Sequence, residues 1–167
     1  MNPCSCGFYP DRSKCRCSEQ QVNKYLSRIS KPLLDRIDIC AESRTVTYEE
    51  LEEKSTGETS ESIRRRIEAA RQIQAERYQG KRIYFNSSMK KAEIDRFCVM
   101  DGAERALLRK IYETQGLSAR SYEKLLKLSR TIADLEGSEK IMKRHLAEAA
   151  GLRSLEGKYW GGVYGKS

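Results

Sequence analysis

Four of the six cysteines lie within fourteen residues, as Cys4-x-Cys6 and, after eight more residues, Cys15-x-Cys17. Four thiolates gathered by one hairpin match the tetrahedral sulfur preference of Zn²⁺. Gly7 and Pro10 between the pairs allow the loop to fold back. C-x-C is a tighter bite than the commoner C-x₂-C, so the spacing also admits reduced structural thiols or a redox disulfide. Cys40 and Cys98 stand alone in apolar-leaning contexts and read as small buried hydrophobes.

Two arginines have a placement that could serve an anion. Arg36 lies between Asp35 and Asp38 in the run from Ile29 to Ile39, just ahead of a short apolar stretch. On spacing alone it reads far better as a salt-bridged surface residue. Arg120 falls in the first turn of a helix that Ser118 caps. A cation there opposes the helix dipole at a cost of roughly 0.3–1 kcal/mol, which either a bound anion or solvent screening would offset, and the placement alone favours neither. Gly162 to Ser167 imitates the end of a phosphate-binding loop, but Trp160 stands where the first glycine belongs. No other G-x₄-G-K-[S/T] run occurs in the chain.

The elements that position these residues are mostly helices. Ser18 with Gln21 has capping-box spacing and opens a helix striped by Val22, Tyr25, Leu26 and Ile29. Ser30-Lys31-Pro32 breaks it; residues 33–36 read as a helical turn and residues 37–41 as a brief strand. Residues 43–60 are polar and read as a linker. Ile63, Ile67, Ala70, Gln74 and Tyr78 then line a long helix ending near Gly80, and Asn86-Ser87-Ser88 supplies caps for a short helix over 89–98. A helix beginning at Asp101 closes at Gly116. The next, from Ser118 to Gly137, is apolar on more than one face and is expected to be central. A last helix spans 141–150, and residues 151–167 form a Gly-rich tail bearing Tyr159, Trp160 and Tyr164.

The 167 residues carry a formal charge of +8, which favours polyanionic partners without requiring one. No apolar run approaches the roughly 18 residues of a membrane span, and no secretory leader follows Met1. The expected setting is cytoplasmic.

Five runs occur in order: N-P-C-S-C-G with its following C-x-C, P-L-L-D-R-I-D-I, G-L-S-A-R-S-Y, R-T-I-A-D-L-E-G-S and H-L-A-E-A. Together they resemble the C-terminal half of the magnesium-chelatase-like AAA+ ATPases of the YifB/ComM family, from Asn2 to about Trp160. The resemblance implies a mostly α chain. Residues 1–42 would be a remnant of the AAA+ α/β core (loop, helix, short strand) with a Cys-rich hairpin, and 61–150 the helical lid. Asn2 would correspond to sensor 1, Arg36 to the arginine finger reaching a neighbouring subunit's ATP, and Arg120 to sensor 2.

The implied cofactors are ATP and Mg²⁺, with a possible structural Zn²⁺ on the cysteines. The implied partners are identical subunits of a ring, usually hexameric, and DNA, through helicase or branch-migration work during competence and recombination. Ser5, Lys31 and Cys40 depart from the usual Pro, Gly and His. The family's Walker A and B elements precede the N-P run, so this chain alone is expected not to hydrolyse ATP. The alternative is a non-catalytic, basic, zinc-bearing adaptor for nucleic acid or protein.

Overall fold

The computed structural model describes residues 1–43, 46–52, 57–153 and 156–160. The chain divides into two compact units, Met1–Ala41 together with the chain from Gly151, and Glu42–Ala150. It is mostly helical, with no strand among the described residues. The phosphate-loop look-alike at 162–167 lies outside the described residues.

In the first unit, Ser18 opens α1 (Glu19–Leu26) by the capping box its sequence predicts. The Ser18 hydroxyl accepts from the Gln21 N–H at 3.2 Å, and Gln21 Oε1 accepts from the Ser18 N–H at 2.8 Å. Val22 and Leu26, one turn apart, are buried with Cys4 and Cys15 in a small core. A short α2 (Lys31–Leu34) follows, with Pro32 in its first turn, where no internal N–H bond is lost.

The brief strand expected over residues 37–41 does not form. A strand needs a ladder partner, and here the backbone groups are met differently. Arg153 donates to the Ile37 and Asp38 carbonyls at 2.9 and 3.1 Å, and the Cys40 N–H donates to the Leu152 carbonyl at 2.7 Å. The chain from Gly151, read as a tail, thus packs into this unit. Its described part includes a π-helical turn, Glu156–Trp160, whose Trp160 indole donates to the Leu26 carbonyl at 2.9 Å.

In the second unit, α3 (Tyr48–Glu52) lies inside the stretch expected to be linker. The long helix α4 (Ser60–Arg77) is capped by Thr59, whose hydroxyl accepts from the Ser62 N–H at 3.2 Å. Its apolar stripe is covered only from Ala70 onward; Ile63 and Ile67 are 38% and 42% exposed. An Arg66–Glu58 ion pair at 2.9 Å spans that open end. Asn86 does not cap the next helix. It is buried in a 3₁₀ turn, Asn86–Ser88, and its side chain bonds into the core.

Lys91–Phe97 forms α5, and the Glu93 carboxylate takes the Lys90 N–H at 2.9 Å. The next helix, α6 (Gly102–Gln115), stops at Gly116, whose φ of 58° is left-handed and free of Cβ strain. Its successor α7 (Ala119–Leu135) packs against α4, α5 and the 3₁₀ turn and buries residues on several faces, including Leu125, Leu126, Ile132 and Ala133. The last helix is α8 (Lys143–Gly151). Its buried His145 accepts the Met142 N–H on Nδ1 at 3.0 Å and lies 3.0 Å from Glu136 through Nε2, which fits a neutral ring protonated on Nε2.

The start of α7 matters because it carries Arg120. Ser118 Oγ accepts from the Ser121 N–H at 3.1 Å. Ser118→Ala should lower the stability of this unit by about 1 kcal/mol, and Ser118→Gly by only a few tenths, because glycine adopts the cap conformation and leaves it open to water. Chemical denaturation of the chain followed by far-UV circular dichroism checks the pair.

A thiolate cluster and three polar candidates

The Cys-rich hairpin is built by turns. Gly7 has a φ of 85°, and its N–H donates to the Cys4 carbonyl at 3.2 Å, so the chain reverses directly after Cys6. A second turn, in which the Lys14 and Cys15 N–H groups reach the Asp11 carbonyl at 3.2 and 2.8 Å, brings the second cysteine pair back. All four Sγ atoms then lie within 4.8 Å of one another. The separations are 3.3 Å for Cys4–Cys6, 3.6 Å for Cys6–Cys15 and 3.8 Å for Cys4–Cys15. Four sulfurs at about 2.3 Å from a tetrahedral Zn²⁺ sit about 3.8 Å apart. The cluster could therefore hold a metal ion without rearrangement of the hairpin.

The electrostatics split the cluster, favouring thiolate at Cys4 and Cys17 and thiol at Cys15. Burial opposes ionisation of Cys4, but the Tyr9 N–H at 3.4 Å and the neighbouring thiols outweigh it and bring Cys4 down to about 6. Cys15 moves the other way, to about 11, through burial and then its hydrogen bonds to the Cys6 and Cys4 sulfurs. Cys17 is lowered, chiefly by the Ser5 hydroxyl at 3.5 Å. Such splitting is what several thiols sharing a few protons must show, and a divalent cation removes the conflict by taking all four as thiolates. Cys98, by contrast, is pushed up to about 12 by burial, donates to the Leu126 carbonyl at 3.7 Å, and is a structural thiol. Cys40 is half-buried.

Asn2 sits on the same hairpin. A Cβ at Gly7 would come within 3.2 Å of its side-chain nitrogen, so the turn and Asn2 pack closely. Arg36 follows α2, is exposed, and donates back to the Pro32 carbonyl at 3.3 Å. Arg120 is exposed in the first turn of α7, a turn that contains no acidic residue. Asn2 and Arg36 belong to the first unit and Arg120 to the second. The four cysteines are brought together as one site.

Two features escaped the sequence. Tyr159 and Trp160 pack against the cysteine core, with Tyr159 edge-on to Tyr9 at 6.3 Å. Their only signal was an aromatic pair in an otherwise Gly-rich segment. A cavity of about 450 Å³ also opens between α6 and the start of α7, lined by Leu108, Tyr112, Ala119 and Tyr122 with Arg105 and Arg109. Its lining comes from separate elements, and no local pattern marks it.

Comparison with known proteins matches the chain in two parts. Residues 57–153 match the family described as "Magnesium chelatase, subunit ChlI C-terminal", and residues 1–51 match "Magnesium chelatase, subunit ChlI". The chain is 40% identical over 156 residues to the "Competence protein ComM" of Haemophilus influenzae, which covers 93% of this chain and 30% of that protein. It is 34% identical over 157 residues to the "Uncharacterized protein YifB" of Salmonella typhimurium and 34% over 165 residues to that of Escherichia coli, again 93% of this chain and 30% of each relative. The chain thus spans under a third of the length of these curated relatives. No described helix is long and apolar enough to cross a membrane.

Proposed function

The chain belongs to the magnesium chelatase ChlI-like family of AAA+ ATPases, and we propose that it supplies the trigger and lid of a ring-forming ATPase that works on DNA. ATP with Mg²⁺ provides the phosphoryl group whose transfer powers the ring. Arg120 contacts its phosphates from the lid, where a helix N-terminus and a guanidinium both favour an anion. Arg36 reaches the ATP of the adjacent subunit and stabilises charge that grows on the transferred group. Asn2 orients the attacking water. The site is shared by identical subunits in a ring, with six as the expected number, in the cytoplasm.

The observation that carries this reading is Arg120, exposed in a helical first turn free of acidic residues. Such a cation is unfavourable alone and favourable facing a triphosphate. The chain's charge of +8 supports a polyanionic track for the motor, such as DNA. The cysteine cluster is read as a resident structural Zn²⁺ site: its sulfur-only donor set and its spacings suit that ion.

The test uses the complete protein, with this segment joined to the phosphate-binding half. Arg120→Ala should weaken ATP binding at least tenfold by equilibrium titration and slow hydrolysis with it. Unchanged affinity and turnover would refute the reading. Weakened DNA binding with unaltered ATP turnover would point instead to the adaptor alternative.

A further inference from the structure

The cysteine hairpin is also one wall of a seat. Cys4 and Cys15 are buried with Val22 and Leu26, and Tyr9, Cys17, Tyr159 and Trp160 close over them. Trp160 is pinned through its indole to the last residue of α1, and Tyr159 stands edge-on to both Tyr9 and Trp160, at 6.3 and 6.2 Å. Upstream on the same segment, Arg153 holds the Ile37 and Asp38 carbonyls, directly after Arg36. Leu152, Arg153, Tyr159 and Trp160 are therefore the anchor points of a strap that ties the hairpin and α1 to the loop that carries Arg36.

We infer that metal binding by Cys4, Cys6, Cys15 and Cys17 controls the docking of this strap, so that the ion braces the Arg36 loop from a distance. The physical reason is that the apolar core of the seat is small. Its core contains four buried residues, two of which are cysteines. Without an ion the two arms meet at the cysteines through sulfur contacts of 3.6 and 3.8 Å. A divalent cation held by all four sulfurs, which lie within 4.8 Å of one another, adds a rigid tetrahedral cross-link between the two arms of the hairpin. With the arms fixed, Tyr9 is held as a ring face for Tyr159. When they part, the strap loses one side of its seat and Arg153 loses the anchorage that keeps it on the carbonyls.

This inference rests on the four-thiolate reading of the cluster and is independent of the nucleotide reading. Trp160 is the only tryptophan, which makes its fluorescence a reporter of the strap alone. The experiment takes the whole chain, counts bound Zn²⁺, exchanges it for Co²⁺, and follows Trp160 emission through removal of the metal by a chelator and its return. The expected result is one ion per chain and a Co²⁺ spectrum of tetrahedral four-thiolate type. Emission should shift to the red on chelation and recover when Zn²⁺ is restored, while the far-UV helical signal of α4–α8 is largely kept.

Because Cys15→Ser could simply unfold the unit, Tyr159→Ala serves as the second variant. It should keep the Co²⁺ spectrum and show the red-shifted emission even with metal present. Stoichiometric four-thiolate binding with Trp160 emission indifferent to the metal would overturn the strap inference while sparing the metal site. Failure to bind Zn²⁺ or Co²⁺ through the thiols would overturn both. ATP turnover of the complete protein bears on neither.

Discussion

Arg36→Ala in the complete ring protein should slow ATP hydrolysis by about 10³–10⁵-fold, roughly 4–7 kcal/mol of transition-state stabilisation. Phosphoryl transfer proceeds through a loose state in which negative charge spreads over the departing group. A guanidinium delivered there acts on charge that the ground state does not yet show, so the loss should fall on kcat far more than on ATP affinity. Arg36 suits this role because it is exposed, on the short connection after α2, and donates to the Pro32 carbonyl of its own turn. Arg36→Lys should restore little, since a point-charge ammonium does not reproduce the planar fork.

The role in a neighbouring subunit has a separate readout. Rings mixed from Arg36→Ala subunits and from subunits with a disabled phosphate-binding loop should regain turnover, because some interfaces then pair an intact loop with an intact Arg36. Full-rate hydrolysis by Arg36→Ala, or no recovery on mixing, would defeat the assignment.

The largest effect on stability is expected at Asp134, on α7. Its carboxylate is fully buried and pairs with Arg77 and, at 3.1 Å, with Arg130; it also accepts from Asn86 Nδ2 at 2.8 Å. Asn86 in turn accepts from Arg77 at 3.0 Å and from the Tyr78 hydroxyl at 2.6 Å. The Arg130 side chain is 1% exposed, and burial depresses its pKa even with Asp134 beside it.

Asp134→Ala would leave two guanidiniums without their counter-charge, one of them in the core. Breaking a buried pair this way costs about 3–5 kcal/mol, a large share of the roughly 5–15 kcal/mol that holds a domain folded. Asp134→Asn keeps the shape and part of the hydrogen bonding and should cost less. Urea unfolding followed by circular dichroism reads this unit, while Trp160 fluorescence reads the other. A loss under about 1 kcal/mol for Asp134→Ala would show that the network is ornamental.

How much of this was legible in the chain depends on range. The α1 capping box, the Ser118 cap and the Gly116 stop were readable because each is settled by residues within one turn. The many-faced apolarity of α7 marked it as central for the same reason: a helix surrounded by neighbours cannot hide its composition. The α4 stripe was readable, but not that Ile63 and Ile67 stay exposed, since periodicity shows that a face is apolar but not where its cover begins. Asn86 resembled a cap because Asn-Ser-Ser is locally a capping sequence. Its true role needs Asp134, Thr131 and Tyr78, which no window around it contains.

The amino-acid sequence alone determined the helical elements, the clustering potential of four cysteines and, through its ordered motifs, the family. These follow from short-range geometry and from residue identity. Tertiary structure alone decided that Trp160 folds back onto α1, that residues 37–41 answer to Arg153 and Leu152 instead of a neighbouring strand, and that Tyr159 and Trp160 close over Cys4 and Cys15. Those contacts join residues more than a hundred positions apart. Their free energy comes from burial and hydrogen bonds that exist only once the chain has closed the intervening loop, so no local pattern of residue types can encode them visibly.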